Sequence, residues 1–217
     1  MSWTQPQHSR KDRVHKDMAA AIALEHDAEL MLRVRAGDGA SFGMLLQRHR
    51  TPLIHFLSRM VRNQAVGEEL AQEVFLRVYR SRAGYEPTAK FTTWLFRIAT
   101  HLALNWIRDH KNEKGQESLD QEVLQGAVRQ VADYGPTVEE HLVRRARLEE
   151  VRRAVEHLPE KQRAAVLMHK YEEMEYTQIA KVLECSEAAV KSLLFRAYET
   201  LRAKLAHMSP VAEGRPR

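Results

Sequence analysis

Residues 176–202 read YTQIAKVLECSEAAVKSLLFRAYETLR, a stretch in which two apolar stripes of helical spacing flank a short break. The first stripe predicts a short helix with Thr177 as its N-cap, and the second predicts a longer helix capped by Ser186. Glu184 and Cys185 are predicted to form the turn between them. The inward-facing positions of the two helices are Ile179, Ala180, Leu183, Val190, Leu194, Ala197 and Leu201. This pattern predicts a helix-turn-helix unit.

Four side chains of the longer predicted helix lie off its apolar stripe and are candidates to read DNA. They are Lys191, Ser192, Phe195 and Arg196. Lysine and arginine can reach guanine acceptors or phosphates in a major groove, and a phenylalanine ring can contact a thymine methyl group. The alternative is a plain helical hairpin whose basic face is only solvated, but the order and length of the elements favour DNA binding. Cys185 is interpreted as a small packing residue, with a redox switch as the alternative.

The remainder of the chain is also predicted to be helical. From Asp27 onward apolar residues recur at three- and four-residue steps, and no segment alternates with a period of two for long enough to form a strand. A loop is expected from Gly84 to Lys90, and Thr92 or Thr93 is expected to cap the helix that follows it. Pro159 stands where a helix can begin. The second helical block is expected to start near residue 137, with a core stripe comprising Leu148, Val151, Val155, Ala164, Leu167, Met168 and Tyr171.

The fold class expected from this pattern is all-α, with two helical domains joined by a flexible acidic linker. The second domain contains the helix-turn-helix. The expected organisation is a loosely ordered arm over 1–26, a first domain over 27–112, a linker over 113–143, a second domain over 144–207 and a disordered tail over 208–217.

The charge distribution supports two modules that face an anionic partner. The chain has a net charge of +5, which raises the odds of such a partner without naming it. Residues 41–112 carry 11 Lys and Arg against 5 Asp and Glu, and residues 144–207 carry 13 against 10. The segment between them, residues 113–143, carries 2 basic and 7 acidic side chains. This pattern indicates two DNA-facing units on a tether.

Composition also restricts the cellular class. The sequence contains one cysteine, so an intramolecular disulfide is impossible and a thiolate metal cluster cannot be built from one chain. No apolar run approaches the roughly 18 residues of a membrane-spanning helix, and the first thirty positions lack the pattern of a cleaved secretion signal. We expect a cytoplasmic protein without membrane insertion.

A second candidate surface lies in residues 91–111, which read FTTWLFRIATHLALNWIRDHK. Aromatic side chains alternate here with basic and amide groups. Such a helix can stack unpaired bases on its rings while Arg97, Arg108 and Lys111 neutralise backbone phosphates. Core packing is the competing interpretation for Trp94 and Trp106.

The order of these pieces resembles the extracytoplasmic-function group of bacterial sigma factors. The resemblance in the amino-terminal half is carried by Asp27-Ala-Glu-Leu, Gly37-Asp38, Phe42, residues 67–79 (GEELAQEVFLRVY) and residues 91–99 (FTTWLFRIA). In the carboxy-terminal half it is carried by residues 158–205, including 190–197 (VKSLLFRA). The resemblance implies a transcription initiation factor that binds core RNA polymerase and confers promoter recognition and melting, for a stress or envelope-signal regulon.

The same resemblance implies roles for individual residues. Contact with the clamp helices of the largest polymerase subunit is implied for Glu69, Gln72, Glu73 and Phe75. Recognition of the minus-ten element is implied for Phe91, Thr93, Trp94, Arg97, Asn105, Arg108 and Lys111. Recognition of the minus-thirty-five element is implied for Ser186, Lys191, Ser192, Phe195 and Arg196. Residues 84–91 and Asn105 match positions that hold a base flipped from the minus-ten element, and flipping costs a few kcal/mol of unstacking energy.

Further partners follow from the resemblance. Promoter DNA is expected both as a duplex and as a melted single strand, the linker is expected to lie toward the RNA exit channel, and an anti-sigma factor is expected as an inhibitor. No catalytic residue, metal or cofactor is expected. Gln72 and Glu73 precede an apolar stripe and have no obvious partner within the chain, which favours a role in binding.

The sequence departs from the family pattern at four positions. Glu184 stands where many members have glycine, at a point that often needs a left-handed backbone, so the turn is expected to be strained or differently shaped. Ala189 replaces a frequent threonine, and Leu193 and Tyr198 replace frequent arginines. These changes affect the expected promoter preference and leave the expected fold intact.

Three other classes of function compete with this interpretation. A free-standing helix-turn-helix repressor or activator would form a dimer on a symmetric operator. A helical enzyme would need a catalytic set of side chains, but His101 and His110 are nine residues apart and no His, Asp and Glu set has acid–base or metal-ligand spacing. A helical adaptor would not bind DNA. A single helix-turn-helix offers about three base-reading side chains, too few for a monomer among roughly a million genomic sites, so a large partner is expected.

Overall fold

The computed structural model describes residues 26–111 and 138–208, and within these ranges the chain is helical with no strand. The all-α prediction is therefore confirmed for this part of the chain. The helices are α1 (residues 26–35), α2 (Gly39–Val61), α3 (Gln64–Arg80), α4 (Phe91–Asp109), α5 (Val138–Glu156), α6 (Glu160–Tyr171), α7 (Tyr176–Leu183) and α8 (Glu187–Lys204). Short 3-10 turns lie at Arg82–Gly84 and Ala206–Met208.

The predicted domain ends fall largely outside the described residues. The arm over 1–26, most of the linker over 113–143 and the tail over 208–217 are in this category. Helix α5 begins at Val138, inside the range assigned to the linker. Its start agrees with the helical block expected from about residue 137.

The first domain is built around an aromatic core between α2, α3 and α4. Phe56 of α2 and Phe96 of α4 make an edge-to-face ring contact with centroids 5.1 Å apart, and both side chains are buried. Helices α2 and α3 approach closely at Gly67, where an added Cβ would lie 2.7 Å from the Cα of Ser58. A side chain at this position would push the two helix backbones apart.

A buried charged network fixes α1 against α2. The Asp27 carboxylate is paired with the Arg48 guanidinium and lies 2.8 Å from Nε2 of His49. Only 3% of the Asp27 side chain is exposed. The His49 ring also contacts the Phe91 ring, with centroids 5.4 Å apart, so the network reaches the first residue of α4. A buried carboxylate is tolerated because both of its oxygens have partners.

The second domain has a core of small and aliphatic side chains from α6, α7 and α8. Buried positions include Ala164, Ala165, Leu167, Met168, Ile179, Val190, Leu194 and Ala197. Three members of the predicted stripe are not in this core: Leu148 is 57% and Tyr171 50% exposed, and Val151 is only partly buried. Leu148 lies on α5, which makes few contacts with the rest of the domain, and Tyr171 packs under the guanidinium of Arg59 instead.

Two of the predicted helix caps are wrong. Helix α4 begins at Phe91 with Lys90 as its N-cap and no side-chain cap, so Thr92 and Thr93 lie inside the helix. Helix α7 begins at Tyr176, where Glu175 and Gln178 form a reciprocal capping box. Glutamate caps less often than threonine, so Thr177 was the better candidate by type alone.

Three side-chain caps do hold helix starts. Ser186 accepts from the Ala189 backbone N–H at 3.2 Å, as predicted for α8. Asp38 caps α2 by accepting from two backbone N–H groups, and its hydrogen bonds, led by the one from the Ser41 hydroxyl, lower the pKa of its carboxyl. Asn63 caps α3 by accepting from the Val66 N–H at 3.1 Å. Pro159 immediately precedes α6 as its N-cap.

The two domains are in contact with each other through two helix pairs. Helix α4 packs against α7, and α2 packs against α6. At the second contact the Arg59 guanidinium lies 4.0 Å from the centroid of the Tyr171 ring. Burial raises the pKa of the adjacent Glu172 to about 7, although Arg59 lowers it.

Candidate nucleic-acid and polymerase-binding surfaces

Helix α8 presents its candidate DNA-reading side chains on one exposed face. Lys191, Ser192, Phe195 and Arg196 are all exposed, whereas Val190 and Leu194 are buried. Phe195 is 68% exposed, whereas phenylalanine side chains are more often buried. Ser192 donates a hydrogen bond to the Ala188 carbonyl, so its hydroxyl is oriented along the helix. This face can enter a groove without disturbing the core.

The turn before α8 has a left-handed residue. Glu184 has φ 52° and ψ 50°, and the N–H of Cys185 donates to the Ala180 carbonyl at 3.0 Å. The backbone therefore has the shape for which glycine is usually used, and the predicted strain of a glutamate at this position agrees with that geometry. Cys185 is partly buried, consistent with its interpretation as a packing residue.

The candidate minus-ten residues of α4 divide into a buried and an exposed group. Phe91 is fully buried and Thr93 is 3% exposed, so in this conformation their side chains belong to the core. Trp94 is half-buried, with its ring 5.0 Å from that of Tyr85 and 6.0 Å from that of Phe91. The exposed group comprises Arg97, Asn105, Arg108 and Lys111.

Trp106 is partly buried and lies toward the end of α4. Its ring stacks on the His110 ring with centroids 4.4 Å apart, and Nδ1 of His110 is 2.8 Å from the Trp106 carbonyl oxygen. Both interpretations of Trp106 thus keep some support, since the ring packs against the core cluster and still has an exposed part.

Tyr85 anchors the loop before α4 and was not singled out from the sequence. It is buried, its ring packs on Trp94, and its backbone carbonyl accepts a hydrogen bond from Nη1 of Arg35 at 3.0 Å. Burial raises the pKa of the Tyr85 phenol. The signal available in the sequence was one aromatic residue between polar ones in a loop, which is compatible with either exposure or anchoring.

An apolar groove lies between α2 and α3, with a volume of about 500 Å³. Its walls include Phe42, Leu46 and Ile54 of α2 and Ala71, Gln72, Phe75, Leu76 and Tyr79 of α3. Two of the candidate polymerase-binding residues, Gln72 and Phe75, line this groove. The Phe42 ring packs against the rings of Phe75 and Tyr79, so the groove wall is ordered.

The other two candidate polymerase-binding residues lie differently. Glu69 is exposed on α3 and does not line the groove. Glu73 accepts a hydrogen bond from Nε of Arg77 at 2.8 Å. The expectation that Glu73 has no partner within the chain is therefore wrong, because a glutamate and an arginine four residues apart share one helix face.

An ion pair that was not expected from the sequence links α4 to the turn before α8. Nη2 of Arg97, on α4, lies 2.6 Å from the Glu184 carboxylate in the turn before α8. Nε2 of His101, one turn further along α4, lies 3.8 Å from the same carboxylate. Residues 87 positions apart in the chain carry this contact, so no sequence period could reveal it.

Two classes of site are not found in the described residues. Over 26–111 and 138–208 no three His, Cys, Asp or Glu side chains are grouped so as to hold a metal ion. None of the helices in those ranges has both the length and the apolar composition needed to cross a membrane.

Two family models match the two domains. The model of sigma-70 region 2 matches residues 45–113, and the model of sigma-70 region 4 matches residues 148–201. The first match contains α3, α4 and most of α2, and the second contains α6, α7 and most of α8.

Named relatives match over most of their length. The chain is 32% identical over 178 residues to the RNA polymerase sigma factor CarQ of Myxococcus xanthus, covering 82% of this chain and 97% of that protein. It is 28% identical over 185 residues to the RNA polymerase sigma-H factor of Pseudomonas aeruginosa, covering 83% and 94%. Identity to the ECF RNA polymerase sigma-E factor of Escherichia coli K12 is also 28% over 185 residues, covering 82% and 94%.

Solved structures share the arrangement of helices. CnrH in complex with the cytosolic domain of CnrY has a TM-score of 0.61 at 20% identity, covering 85% of this chain and 99% of that chain. The sigma factor RpoE in complex with the anti-sigma factor NepR from Bartonella quintana has a TM-score of 0.57 at 19% identity, covering 76% and 96%. Together with the family models and CarQ, the two-domain helical fold places the chain among the extracytoplasmic-function sigma factors, the transcription initiation factors that give bacterial RNA polymerase its promoter recognition.

Proposed function

We propose that this sigma factor binds core RNA polymerase through the α2–α3 groove and positions α4 and α8 on the two promoter elements. The observation that carries the proposal is the exposed reading face of α8 together with an apolar groove of about 500 Å³ on the other domain. The proposed domains are residues 27–112 for the minus-ten element and 144–207 for the minus-thirty-five element. Melting of the minus-ten element is part of the proposal.

The groove fits a helical partner from the polymerase. Its floor is apolar, and Arg50 and Glu68 at its edge can pair with charged groups on a partner. Leu76 and Tyr79, on its rim, are 47% and 40% exposed. An amphipathic helix buries its apolar face in a groove of this kind. Gln72 and Phe75 would contact the partner from the groove wall, and Glu69 and Glu73 would form a more exposed part of the same surface.

The minus-ten element would be read by the exposed part of α4 and the loop before it. Arg97, Arg108 and Lys111 supply positive charge for phosphates, and Asn105 supplies an amide for a base edge. Phe91 and Thr93 contribute from within, by fixing the start of the helix and the Tyr85 loop. Trp94 has a half-buried ring that rests on Tyr85, so its exposed edge can serve as a stacking platform.

The minus-thirty-five element would be read in duplex form by α8. Lys191 and Arg196 can reach guanine or phosphate oxygens, and Phe195 can contact a thymine methyl group. Ser186 would act at the start of the helix, where backbone N–H groups can face a phosphate. Each base contact is worth about 1–3 kcal/mol of discrimination, so polymerase must hold both readers at a fixed spacing.

Regulation by an anti-sigma factor is proposed from the neighbours. CnrH and RpoE were solved in complexes with CnrY and with the anti-sigma factor NepR. We infer that this chain is also held inactive by such a protein, responds to a stress or envelope signal, acts in the cytoplasm and has no catalytic activity or cofactor of its own.

The decisive experiment is run-off transcription with core polymerase, the full chain and a genomic promoter library. The expected result is a set of new start sites that share a minus-ten and a minus-thirty-five element. Absence of both association with core enzyme and new start sites would refute the proposal. A dimer with nanomolar affinity for a symmetric operator would instead indicate a free-standing regulator.

Matched variants test the two surfaces separately. Leu76→Glu places a charge on the groove rim and should abolish capture of core polymerase, while Met44→Glu, at an equally exposed α2 position outside the groove, should not. Lys191→Ala should reduce transcription from promoters that need the minus-thirty-five element, while Lys161→Ala on α6 should leave it unchanged. Equal effects of the two members of either pair would argue against that surface.

A further inference from the structure

The Glu184 carboxylate pairs with Arg97, a residue that the proposed function assigns to the minus-ten element. Arg97 is one of the exposed cations of α4, and its Nη2 is 2.6 Å from the Glu184 carboxylate. His101 approaches the same carboxylate at 3.8 Å. A guanidinium binds a carboxylate and a phosphate with the same fork of N–H donors, so it cannot serve both at full strength.

The helices around this ion pair are also packed together. Helix α4 of the first domain lies against α7 of the second, and Arg97, although half exposed, pairs with the turn of the helix-turn-helix. The minus-ten and minus-thirty-five elements lie apart on DNA, so two domains packed against each other through α4 and α7 cannot reach both elements at once. The described arrangement is therefore a closed form, distinct from the form that contacts DNA.

A second contact stabilises the same closed form. Arg59 at the end of α2 lies 4.0 Å over the Tyr171 ring at the end of α6, and α2 packs against α6 there. Tyr171 and Arg59 belong to different domains. A guanidinium over a half-exposed tyrosine contributes modestly, so neither contact alone makes the closure permanent.

We propose that Glu184 is an intramolecular latch that closes the two DNA-reading domains on each other and competes with DNA for Arg97. The latch is a property of this chain alone and requires neither an inhibitor protein nor a ligand. Arg97 would act in both forms, with the carboxylate when closed and with a phosphate when open. The competition with DNA for Arg97 rests on the proposed function, whereas the closing of the two domains on each other does not.

The latch should be weak enough to open. The Arg97 and Glu184 side chains are 52% and 51% exposed, and an exposed ion pair contributes little because water and salt screen it. Loss of the pair is expected to raise the ratio of open to closed molecules by about two- to fivefold. Closure of this size delays DNA engagement and still lets polymerase overcome it.

The test measures the distance between the domains in the full-length free chain. Spin labels are attached at Ala83→Cys and Ala203→Cys, both exposed positions away from the contact, in a Cys185→Ser background. Double electron–electron resonance should show a main population at the closed distance. Glu184→Gln, which keeps the shape of the side chain and removes its charge, should shift molecules to longer distances by the factor given above.

A matched control separates the latch from a general loss of negative charge. Glu187→Gln removes the same charge three residues away at an exposed position and should leave the distance distribution unchanged. Arg97→Glu should open the molecule, and combining it with Glu184→Arg should close it again. If Glu184→Gln and Glu187→Gln give the same distribution, or if the parent is already open, the latch is refuted.

A binding measurement tests the competition with DNA. The full chain is titrated onto a fluorescent single-stranded oligonucleotide at low salt, and Glu184→Gln should bind about two- to fivefold more tightly than Glu187→Gln. Equal affinities would overturn the competition. Because the distance measurement uses neither DNA nor polymerase, a failure of the proposed function and a failure of the latch give different results.

Discussion

Helices α4 and α8 are nearly equal in length, at 19 and 18 residues, but they relate to their domains in opposite ways. Helix α4 buries eight residues and α8 buries three. The first helix is a central element of a core, and its proposed DNA-binding surface is only the edge that its neighbours leave free. The second is a surface helix with one buried stripe. Stability and DNA recognition should therefore be separable in α8 and entangled in α4.

The largest expected effect compares one residue type in the two helices. Phe91→Ala removes a fully buried ring that contacts His49, Tyr85 and Trp94, and should lower the free energy of unfolding by about 3–5 kcal/mol. Phe195→Ala removes an exposed ring and should change that free energy by less than about 0.5 kcal/mol. Thermal and urea denaturation of both variants measure the difference.

Transcription assays complete this comparison. Phe195→Ala should lose activity at promoters with a minus-thirty-five element while its unfolding curve stays unchanged. Loss of activity by Phe91→Ala should instead follow its loss of folded protein at each temperature. A stable Phe91→Ala variant that fails only in promoter melting would break the contrast between the helices.

The next largest effect concerns the charged network of Asp27, Arg48 and His49 within the first domain. Asp27→Asn removes the charge of a buried carboxylate that pairs with Arg48 and with the buried His49, and should lower the free energy of unfolding by about 2–3 kcal/mol. Asp109→Asn, which breaks an exposed pair with Arg108, is the control and should cost less than about 0.5 kcal/mol. Equal costs for the two variants would show that burial of the network contributes nothing.

A smaller effect depends on pH and lies in the second domain. The pKa of Glu172 in the folded chain is raised to about 7 from an ordinary value of 4.5. The stability that the folded chain gains from this carboxyl is therefore fully present below pH 4.5 and is lost as the pH rises through 7. Glu172→Gln, which stays neutral, should therefore be more stable than the parent at pH 8 by about 1–2 kcal/mol, after allowance for partial exposure.

Unfolding measured from pH 5 to pH 8 tests this sign. The advantage of Glu172→Gln should shrink as the pH falls, since the parent carboxyl then becomes neutral as well. Glu29→Gln, at an exposed position on α1, should show no such trend. An advantage that is constant with pH would mean that ionisation of Glu172 is not its cause.

The smallest effect compares how the two helices start. Ser186→Ala removes the hydroxyl that accepts from the Ala189 N–H and should cost about 1 kcal/mol. Thr92→Ala should cost less than about 0.5 kcal/mol, because α4 begins at Phe91 and has no side-chain cap. A larger loss of stability for Thr92→Ala than for Ser186→Ala would show that Thr92 caps α4, as expected from the sequence.

The same contrast explains how much could be predicted from the sequence. Helical spacing depends on neighbouring residues, so the all-α fold, the turn at Glu184 and the exposed face of α8 followed from local periodicity. The buried position of Thr93 did not, because it depends on which sides of α4 are covered by other elements. Trp94 lies between these cases, as its ring rests on a loop tyrosine.

Contacts between distant parts of the chain were the main omission. The pairing of Arg97 with Glu184 and the packing of Arg59 on Tyr171 both depend on how two domains meet, and neither has a sequence period. Tyr171 was assigned to the core because its spacing fits the α6 stripe. In the structure its ring meets the other domain instead, which is compatible with the same spacing.

The close crossing at Gly67 has a consequence for partner binding. With no side chain there, α2 and α3 touch near Ser58, so the angle between the two helices that form the groove is set before any partner arrives. A preorganised groove loses little conformational entropy on binding, and more of the contact energy is retained as affinity. A single methyl group at Gly67 would widen this crossing and weaken partner binding by loosening the groove, although every side chain that contacts the partner would still be present.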